Sequence, residues 1–234
     1  MKKFLHEPYY YSSSTILLTS TTHVRCYDNV MEIDPHYTDA FMNKGHSLSS
    51  LCLEDEVLEC YDEVIQNDPH NAAAYVGKGS TLNYLGFISD NLKEAAGCYD
   101  EAIRMNPHEY RAYDKKGICL HILGRFEEAV DCYEEAIQIR PQDSDAYSKK
   151  GSSLIKFPDA LTCFEKAIEI RPDDPKSYTN KDACLRKLGD RNQEALQCLD
   201  KIIFLNGQQK QDGSYGSDFE GKLQLAYAFG LMKS

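Results

Sequence analysis

Residues 110–141 read YRAYDKKGICLHILGRFEEAVDCYEEAIQIRP and carry the main structural signal of the chain. Apolar residues recur in this stretch at the three- and four-residue spacing of a helix, Gly124 interrupts the pattern, and Pro141 ends it. The stretch therefore predicts two helices joined by a short turn. Small residues stand where the two helix backbones can approach each other closely: Gly117, Ala129 and Ala136.

The same stretch recurs along the chain, and two landmarks give its period. Lys-Gly pairs lie at Lys44-Gly45, Lys78-Gly79, Lys116-Gly117 and Lys150-Gly151, with Lys181-Asp182 as a degraded fifth pair. Prolines close the successive copies at Pro35, Pro69, Pro107, Pro141 and Pro172. Both landmarks advance by 34, 38, 34 and 31 residues. Because each helical pair is too small to bury its own apolar face, copies with this period are expected to stack on their neighbours.

These residues resemble the tetratricopeptide repeat. The matching positions around Gly117 are Tyr113, Leu120, Gly124, Ala129, Tyr133, Ala136 and Pro141, and the resemblance covers roughly residues 21–206. It implies an all-α fold, an α-solenoid or right-handed superhelix of stacked antiparallel helix hairpins, with about five full units and a partial unit at each end. It also implies that the first helices line a concave groove in which such proteins bind peptides or partner proteins.

The register divides the chain into one array and a C-terminal extension. The array covers 1–206, with a degenerate N-terminal unit at 1–35 and further units at 36–69, 70–107, 108–141, 142–172 and 173–206. Residues 1–20 are read either as a worn first helix or as a loosely packed arm. The polar, glycine-rich stretch 207–216 predicts a flexible loop. A capping box at Ser217–Glu220 then opens a predicted C-terminal capping helix at 217–232.

Two units differ in length from the others. The second carries four extra residues, and we expect the segment Phe87–Asn91 to lie in its hairpin turn, where added length costs little closure entropy. The fourth is three residues shorter, and we expect Pro158 to open its second helix, where proline is well tolerated.

The net charge of −11 argues against a nucleic-acid partner, since phosphate contacts require a basic surface. No apolar stretch is long enough to span a membrane, so no membrane partner is predicted. The chain carries no phosphate-binding loop, nucleophile elbow or metal-ligand spacing. We therefore expect no enzymatic activity and no cofactor or metal.

Six of the nine cysteines occupy one slot of the repeat: Cys26, Cys60, Cys98, Cys132, Cys163 and Cys198. Packed helices lie about 8–10 Å apart, which exceeds the reach of a disulfide. These cysteines are therefore predicted to be free, half-buried thiols that pack as small apolar side chains. Free thiols in such number are typical of a reducing compartment, which favours a cytoplasmic location.

If the chain follows the family, six positions around each glycine of the first helices face the groove. The candidate partner-binding residues at these positions are Asn43, His46, Tyr84, Arg111, Lys115, Lys149, Lys176, Asn180 and Arg186. Basic side chains gather toward the C-terminal half of the chain, which raises an acidic peptide as a candidate ligand. One branch of the family binds the C-terminal carboxylate of chaperones, but Met42, His46 and Gly77 stand where that branch has Lys or Asn.

The sequence therefore predicts a non-catalytic scaffold or adaptor that binds a protein or peptide in the concave groove. A structural subunit that contacts its neighbours through its edges and ends is the alternative. A third reading, an accessory segment of a repeat-containing enzyme, depends only on the degenerate N-terminal unit. The partner, the pathway and the oligomeric state stay open.

Overall fold

The computed structural model describes residues 13–86, 89–154, 157–189 and 191–211. Eleven helices and no strands occur in these ranges. In chain order they are α1 (Ser13–Ile33), α2 (Thr38–Ser49), α3 (Glu54–Asn67), α4 (Ala72–Tyr84), α5 (Ser89–Met105), α6 (Tyr110–Ile122), α7 (Phe126–Ile139), α8 (Ser144–Ser153), α9 (Phe157–Ile170), α10 (Pro175–Leu188) and α11 (Asn192–Gln211). The predicted all-α fold class, a solenoid of stacked helix hairpins, is confirmed.

The chain forms two compact parts, Met1–Arg125 and Phe126–Ser234, called here the N half and the C half. Of the helices, α1 to α6 belong to the N half and α7 to α11 to the C half. Within each half, every helix packs against the next helix along the chain. The division falls between α6 and α7, inside the predicted unit 108–141.

The core of the N half joins residues that share repeat positions. Its larger buried members are Leu48, Val57, Tyr61, Val64, Leu82, Leu92, Tyr99 and Leu120. Tyr99 shows why the repeat needs a glycine on its first helix. A Cβ atom added at Gly79 would lie 2.9 Å from the Tyr99 ring, so glycine lets the second helix of this hairpin approach the first.

The C half is built in the same way. Its core comprises Ala160, Leu161, Phe164, Cys184, Leu185, Ala195 and Cys198. The ring of Phe164 takes the place of the repeat tyrosine, and a Cβ added at Gly151 would lie 2.7 Å from it. The close approach of two helix backbones is thus retained where the aromatic residue changes.

Polar residues end and begin the helices at the junctions between repeats. The side chains of Asp34, Asp68 and Asn106 each accept the backbone N–H of the histidine two residues later. Asn71, Asp143 and Asp174 cap the helices α4, α8 and α10 through bonds to backbone N–H groups. The histidines that follow the prolines thus belong to turns between repeats.

Helix α1 departs from the expectation for the N-terminus. It is one continuous helix from Ser13 to Ile33, so Ile16, Leu17 and Leu18 extend the second-helix segment instead of forming a separate first helix. Cys26 lies on this helix and is exposed, which corrects its prediction as a half-buried thiol. Residues 1–12 lie outside the described part of the chain.

The predicted turn insertion of the second unit is partly wrong, whereas the predicted position of Pro158 in the fourth unit is confirmed. Ser89, Asp90 and Asn91 belong to α5, so part of the insertion lengthens the second helix instead of the turn. Asn91 anchors this extra helical segment, because its side-chain nitrogen donates to the backbone oxygen of Leu85 at 3.2 Å. Pro158 is the second residue of α9, as predicted for a residue that opens the helix.

Helix α11 continues through Gly207 to Gln211, whereas the sequence predicted a flexible loop from residue 207. Glycine inside a helix costs only about 1 kcal/mol, and the following Gln208, Gln209 and Lys210 are good helix formers, so the helix continues. The rest of the predicted loop and the predicted capping helix at 217–232 lie outside the described residues.

Candidate functional site

A cavity of about 700 Å³ lies in the N half, on the face formed by the first helices of three consecutive repeats. It is lined by Met42, His46 and Ser49 of α2, by Ala73, Val76, Gly77, Ser80, Thr81 and Tyr84 of α4, and by Arg111 and Lys115 of α6. Cys52, Glu54, Tyr61 and Glu109 complete the lining. The volume is within the range of about 300–1,000 Å³ that is typical of ligand-binding pockets.

An aromatic ring from the second helix reaches this cavity because of Gly77. A Cβ atom at position 77 would lie 2.5 Å from the ring of Tyr61, so any side chain there would displace the ring. The ring of His46 lies edge-on to Tyr61, with 6.3 Å between the ring centres. With Met42 and Val76 beside them, these rings give the cavity a partly apolar wall.

Two cations line the side of the cavity that α6 contributes. Arg111 is exposed and Lys115 half-buried, and they stand four residues apart, so they share one face of the helix. Neither forms a salt bridge with a residue in the described ranges. Their charge is therefore available to an anionic group that enters the cavity.

The lysines of the Lys-Gly pairs, in contrast to Arg111 and Lys115, all form salt bridges in the part of the chain that the structure describes. Each forms a salt bridge with a carboxylate 16 residues earlier: Lys44 with Asp28, Lys78 with Asp62, Lys116 with Asp100, Lys150 with Glu134 and Lys181 with Glu165. None of the five lines the cavity of the N half. The repeated lysines therefore hold adjacent repeats together.

Two carboxylates also line the cavity. Glu109 caps α6, because its side-chain oxygen accepts the backbone N–H of Arg111 at 3.3 Å. Glu54 is the first residue of α3 and follows the hairpin turn that ends α2. The negative charge of Glu54 therefore lies toward the turn end of the hairpins, whereas Arg111 lies in the first turn of α6, at the opposite end.

Four of the nine predicted partner-binding residues come together in this cavity: His46, Tyr84, Arg111 and Lys115. Asn43 does not line it, although it lies on α2 and is exposed. In the C half, Asn180 lines a separate cavity of about 420 Å³. Lys149 and Lys176 do not line that cavity, and Arg186 instead forms two hydrogen bonds to the carboxylate of Asp182.

The C-half cavity is apolar for most of its lining. Its apolar residues include Phe126, Leu154, Ala160, Phe164 and Cys184, and its polar members are Ser152, Ser153, Asn180 and Lys187. It lies where α8 ends at Ser153, in the unit that is three residues shorter than its neighbours. It brings together only one of the predicted residues.

The positions predicted from the repeat pattern left out five cavity residues. Four of them come from turns and second helices, namely Cys52, Glu54, Tyr61 and Glu109, and Thr81 lies on α4 two residues after the repeat glycine, at a position the pattern does not assign to the groove. For Cys52 a signal existed in the sequence. It replaces the turn glycine found at Gly124 and Gly189, and it has the same left-handed conformation, with φ of 56°. That replacement places an exposed thiol at the cavity.

Burial makes three of the other thiols unreactive. All nine cysteines are free, and burial raises the pKa of Cys60, Cys98 and Cys119 to about 11. These three thiols are therefore protonated at neutral pH and weak as nucleophiles or ligands. Within the described ranges, no cluster of three or more His, Cys, Asp or Glu residues could hold a metal ion. No helix in those ranges has the length and apolar character needed to cross a bilayer.

Comparisons with known proteins agree with this architecture. The family model of the tetratricopeptide repeat matches residues 111–143. No curated protein sequence matches the chain significantly. Among solved structures, BtubC from P. vanneervenii has a TM-score of 0.70 at 15% identity, with 88% of this chain and 94% of that chain covered.

Two other solved structures have the same fold. MamA from Desulfovibrio magneticus RS-1 has a TM-score of 0.67 at 18% identity and covers 74% of this chain and 96% of its own. YrrB, described as a TPR protein with an unusual peptide-binding site, has a TM-score of 0.64 at 22% identity, with coverage of 76% and 91%. The chain thus contains a stretch, residues 111–143, that matches the tetratricopeptide repeat model, and its described helices share the fold of these solved structures.

Proposed function

We propose that the chain is a non-catalytic scaffold or adaptor that binds a peptide segment of a partner protein in the cavity of the N half. One observation carries the proposal. Arg111 and Lys115 form no salt bridge in the described ranges and line a cavity of about 700 Å³, whereas the repeated lysines are all neutralised by carboxylates. Two such cations beside an apolar wall suit a peptide that carries negative charge.

Three further features support a peptide as the ligand. The cavity draws on three consecutive first helices, so it is long enough for several residues. Its lining mixes apolar side chains with hydroxyl groups, which suits a chain of alternating polar and apolar groups. YrrB, with a similar fold, is itself described as having a peptide-binding site.

Peptide selection tests this function. A displayed library of random 12-residue peptides is selected for binding to the full-length chain. Enriched peptides should bind the wild type and lose about tenfold or more in affinity for Arg111→Glu/Lys115→Glu. The matched control is Lys93→Glu/Arg104→Glu, which changes the net charge equally on exposed positions of α5. Failure to enrich any peptide, or equal binding to both variants, would contradict the proposal.

The second candidate is a structural subunit that contacts its neighbours through its ends. It is favoured by exposed apolar residues on α1, where Leu18 and Ile33 are 73% and 86% exposed. Phe204 on α11 is likewise exposed. Light scattering over a range of concentrations tests self-assembly: association that Leu18→Ser/Ile33→Ser abolishes supports this candidate, and a monomer throughout contradicts homotypic assembly.

The nine free cysteines support a further part of the proposal, namely that the chain works in a reducing compartment such as the cytoplasm. The net charge of −11 likewise supports a protein partner over a nucleic acid.

A further inference from the structure

We propose that the N-half cavity recognises two features of an extended peptide: an acidic residue at Arg111 and Lys115, and an apolar residue at Tyr84. This inference rests on the proposed function and specifies its ligand. It follows from how charge and apolar surface are distributed along the first helices.

The acidic residue is placed by the start of α6. Arg111 lies in the first turn of this helix and Lys115 one turn later, both on the cavity side. Glu109 offsets only part of their charge, because it supplies one carboxylate against two cations. A peptide carboxylate at this end would meet two cations.

The apolar residue is placed by the opposite end of the helices. Tyr84 is the last residue of α4, lines the cavity and is 68% exposed. Ile122, at the matching position on α6, is 57% exposed. Large apolar side chains that remain this exposed at equivalent positions of adjacent first helices favour contact with an apolar group.

The spacing between the two features follows from helix geometry. The repeat offset of 38 residues matches Arg111 with Ala73 and Lys115 with Gly77 on α4. Tyr84 therefore lies seven to eleven helical residues beyond the cations, or about 10–16 Å along the axis at 1.5 Å per residue. Because the cations lie on α6 and Tyr84 on the neighbouring α4, the peptide also crosses about 8–10 Å between the helix axes, so the full span is about 13–19 Å. An extended peptide covers this distance with about four to six residues.

Glu54 adds a restriction. It lines the cavity at the turn end of the hairpins, near the end of α4 where Tyr84 stands. A carboxylate beside the apolar residue would therefore meet negative charge. Peptides with neutral or basic residues next to the apolar position should bind better than peptides that are acidic throughout.

The sequences of the peptides enriched by the full-length chain test this inference. We expect Asp or Glu paired with an aromatic or branched aliphatic residue about four to six positions away, with few acidic residues beside the latter. Synthetic 12-residue peptides, one with such a pair and one with the same composition but adjacent members, should differ about tenfold in affinity.

Peptide selection on variants of the chain tests which side chains recognise the acidic residue and which recognise the apolar residue. Selection on Arg111→Glu/Lys115→Glu should lose the acidic preference, and selection on Tyr84→Ser should lose the apolar one. Tyr37→Ser is the control, since Tyr37 is exposed and does not line the cavity. Enriched peptides without the pair, or with a pair that no variant changes, would overturn this inference and leave the proposed function standing. No enrichment at all would contradict the proposed function itself.

Discussion

The Nζ atom of Lys78 lies 2.7 Å from Oδ1 of Asp62, a residue on the second helix of the preceding repeat. The same bond joins Lys44 to Asp28 at 2.7 Å, Lys150 to Glu134 at 2.8 Å and Lys181 to Glu165 at 3.0 Å. In each pair the acidic residue directly follows the recurring aromatic residue of the repeat, which is Tyr in three of these pairs and Phe164 in the fourth. The Lys-Gly pair thus has two structural uses: the lysine bonds to the previous repeat, and the glycine admits an aromatic ring.

We expect the Lys78–Asp62 pair to contribute measurably to stability. A double-mutant cycle with Lys78→Met and Asp62→Asn should give a coupling of about 1 kcal/mol, at the upper end for surface pairs, because the lysine side chain is only 20% exposed. Urea unfolding measures it. The exposed pair Lys93–Asp90 is the control and should give about 0–0.5 kcal/mol. A larger coupling in the control than in the Lys78 pair would contradict the assignment.

Two helical glycines should respond oppositely to the same substitution. Gly79→Ala should destabilise by about 1–3 kcal/mol, because the new Cβ would lie 2.9 Å from the buried Tyr99 ring and 3.2 Å from the backbone oxygen of Ala95. Gly97→Ala should stabilise by about 0.5–1 kcal/mol, since nothing lies within 4 Å and alanine favours a helix. Equal changes in the free energy of unfolding would show that close packing at Gly79 is not the reason for its glycine.

Cys52 is the residue at which the repeat pattern and the backbone disagree. Its φ of 56° is unfavourable for a residue with a side chain, so Cys52→Gly should stabilise by about 0.5–1 kcal/mol. Gly189→Ala is the complementary change. A Cβ atom there would contact nothing, but the φ of 82° is unfavourable for alanine, so the free energy of unfolding should fall by about 1 kcal/mol. Thermal or urea unfolding checks both signs, and a destabilised Cys52→Gly protein would show that its thiol makes a compensating contact.

The repeat register could be predicted from the sequence because Gly, Tyr and Pro recur at fixed spacing, and each of these residues constrains the backbone or the packing locally. The groove positions were only partly predictable. Position counting found Arg111 and Tyr84, but it included Arg186, whose charge is neutralised by Asp182 on the same helix. It missed Tyr61, because only the contact with Gly77 shows that a second-helix ring reaches the cavity.

The buried thiols should make stability depend on alkaline pH. Burial raises the pKa of Cys60, Cys98 and Cys119 from 9.0 to about 11, so the folded state retains protons that the unfolded state loses. Their contribution is fully present below pH 9 and is lost as the pH rises toward 11. The urea concentration at the midpoint of unfolding should therefore fall between pH 9 and pH 11. It should fall less in the triple variant Cys60→Ala/Cys98→Ala/Cys119→Ala. An unchanged slope in the triple variant would assign the pH effect to other groups.

The location of the bound peptide is tested most directly by photo-crosslinking. An enriched 12-residue peptide that carries a photoreactive group at its apolar position is bound to the full-length chain and irradiated, and the crosslinked residues are located by mass spectrometry. We predict crosslinks to Tyr84 and its cavity neighbours Met42 and Val76, and their loss in Arg111→Glu/Lys115→Glu. Crosslinks confined to α1 and α5, which contribute no residue to the cavity lining, or to the C half, would contradict the account.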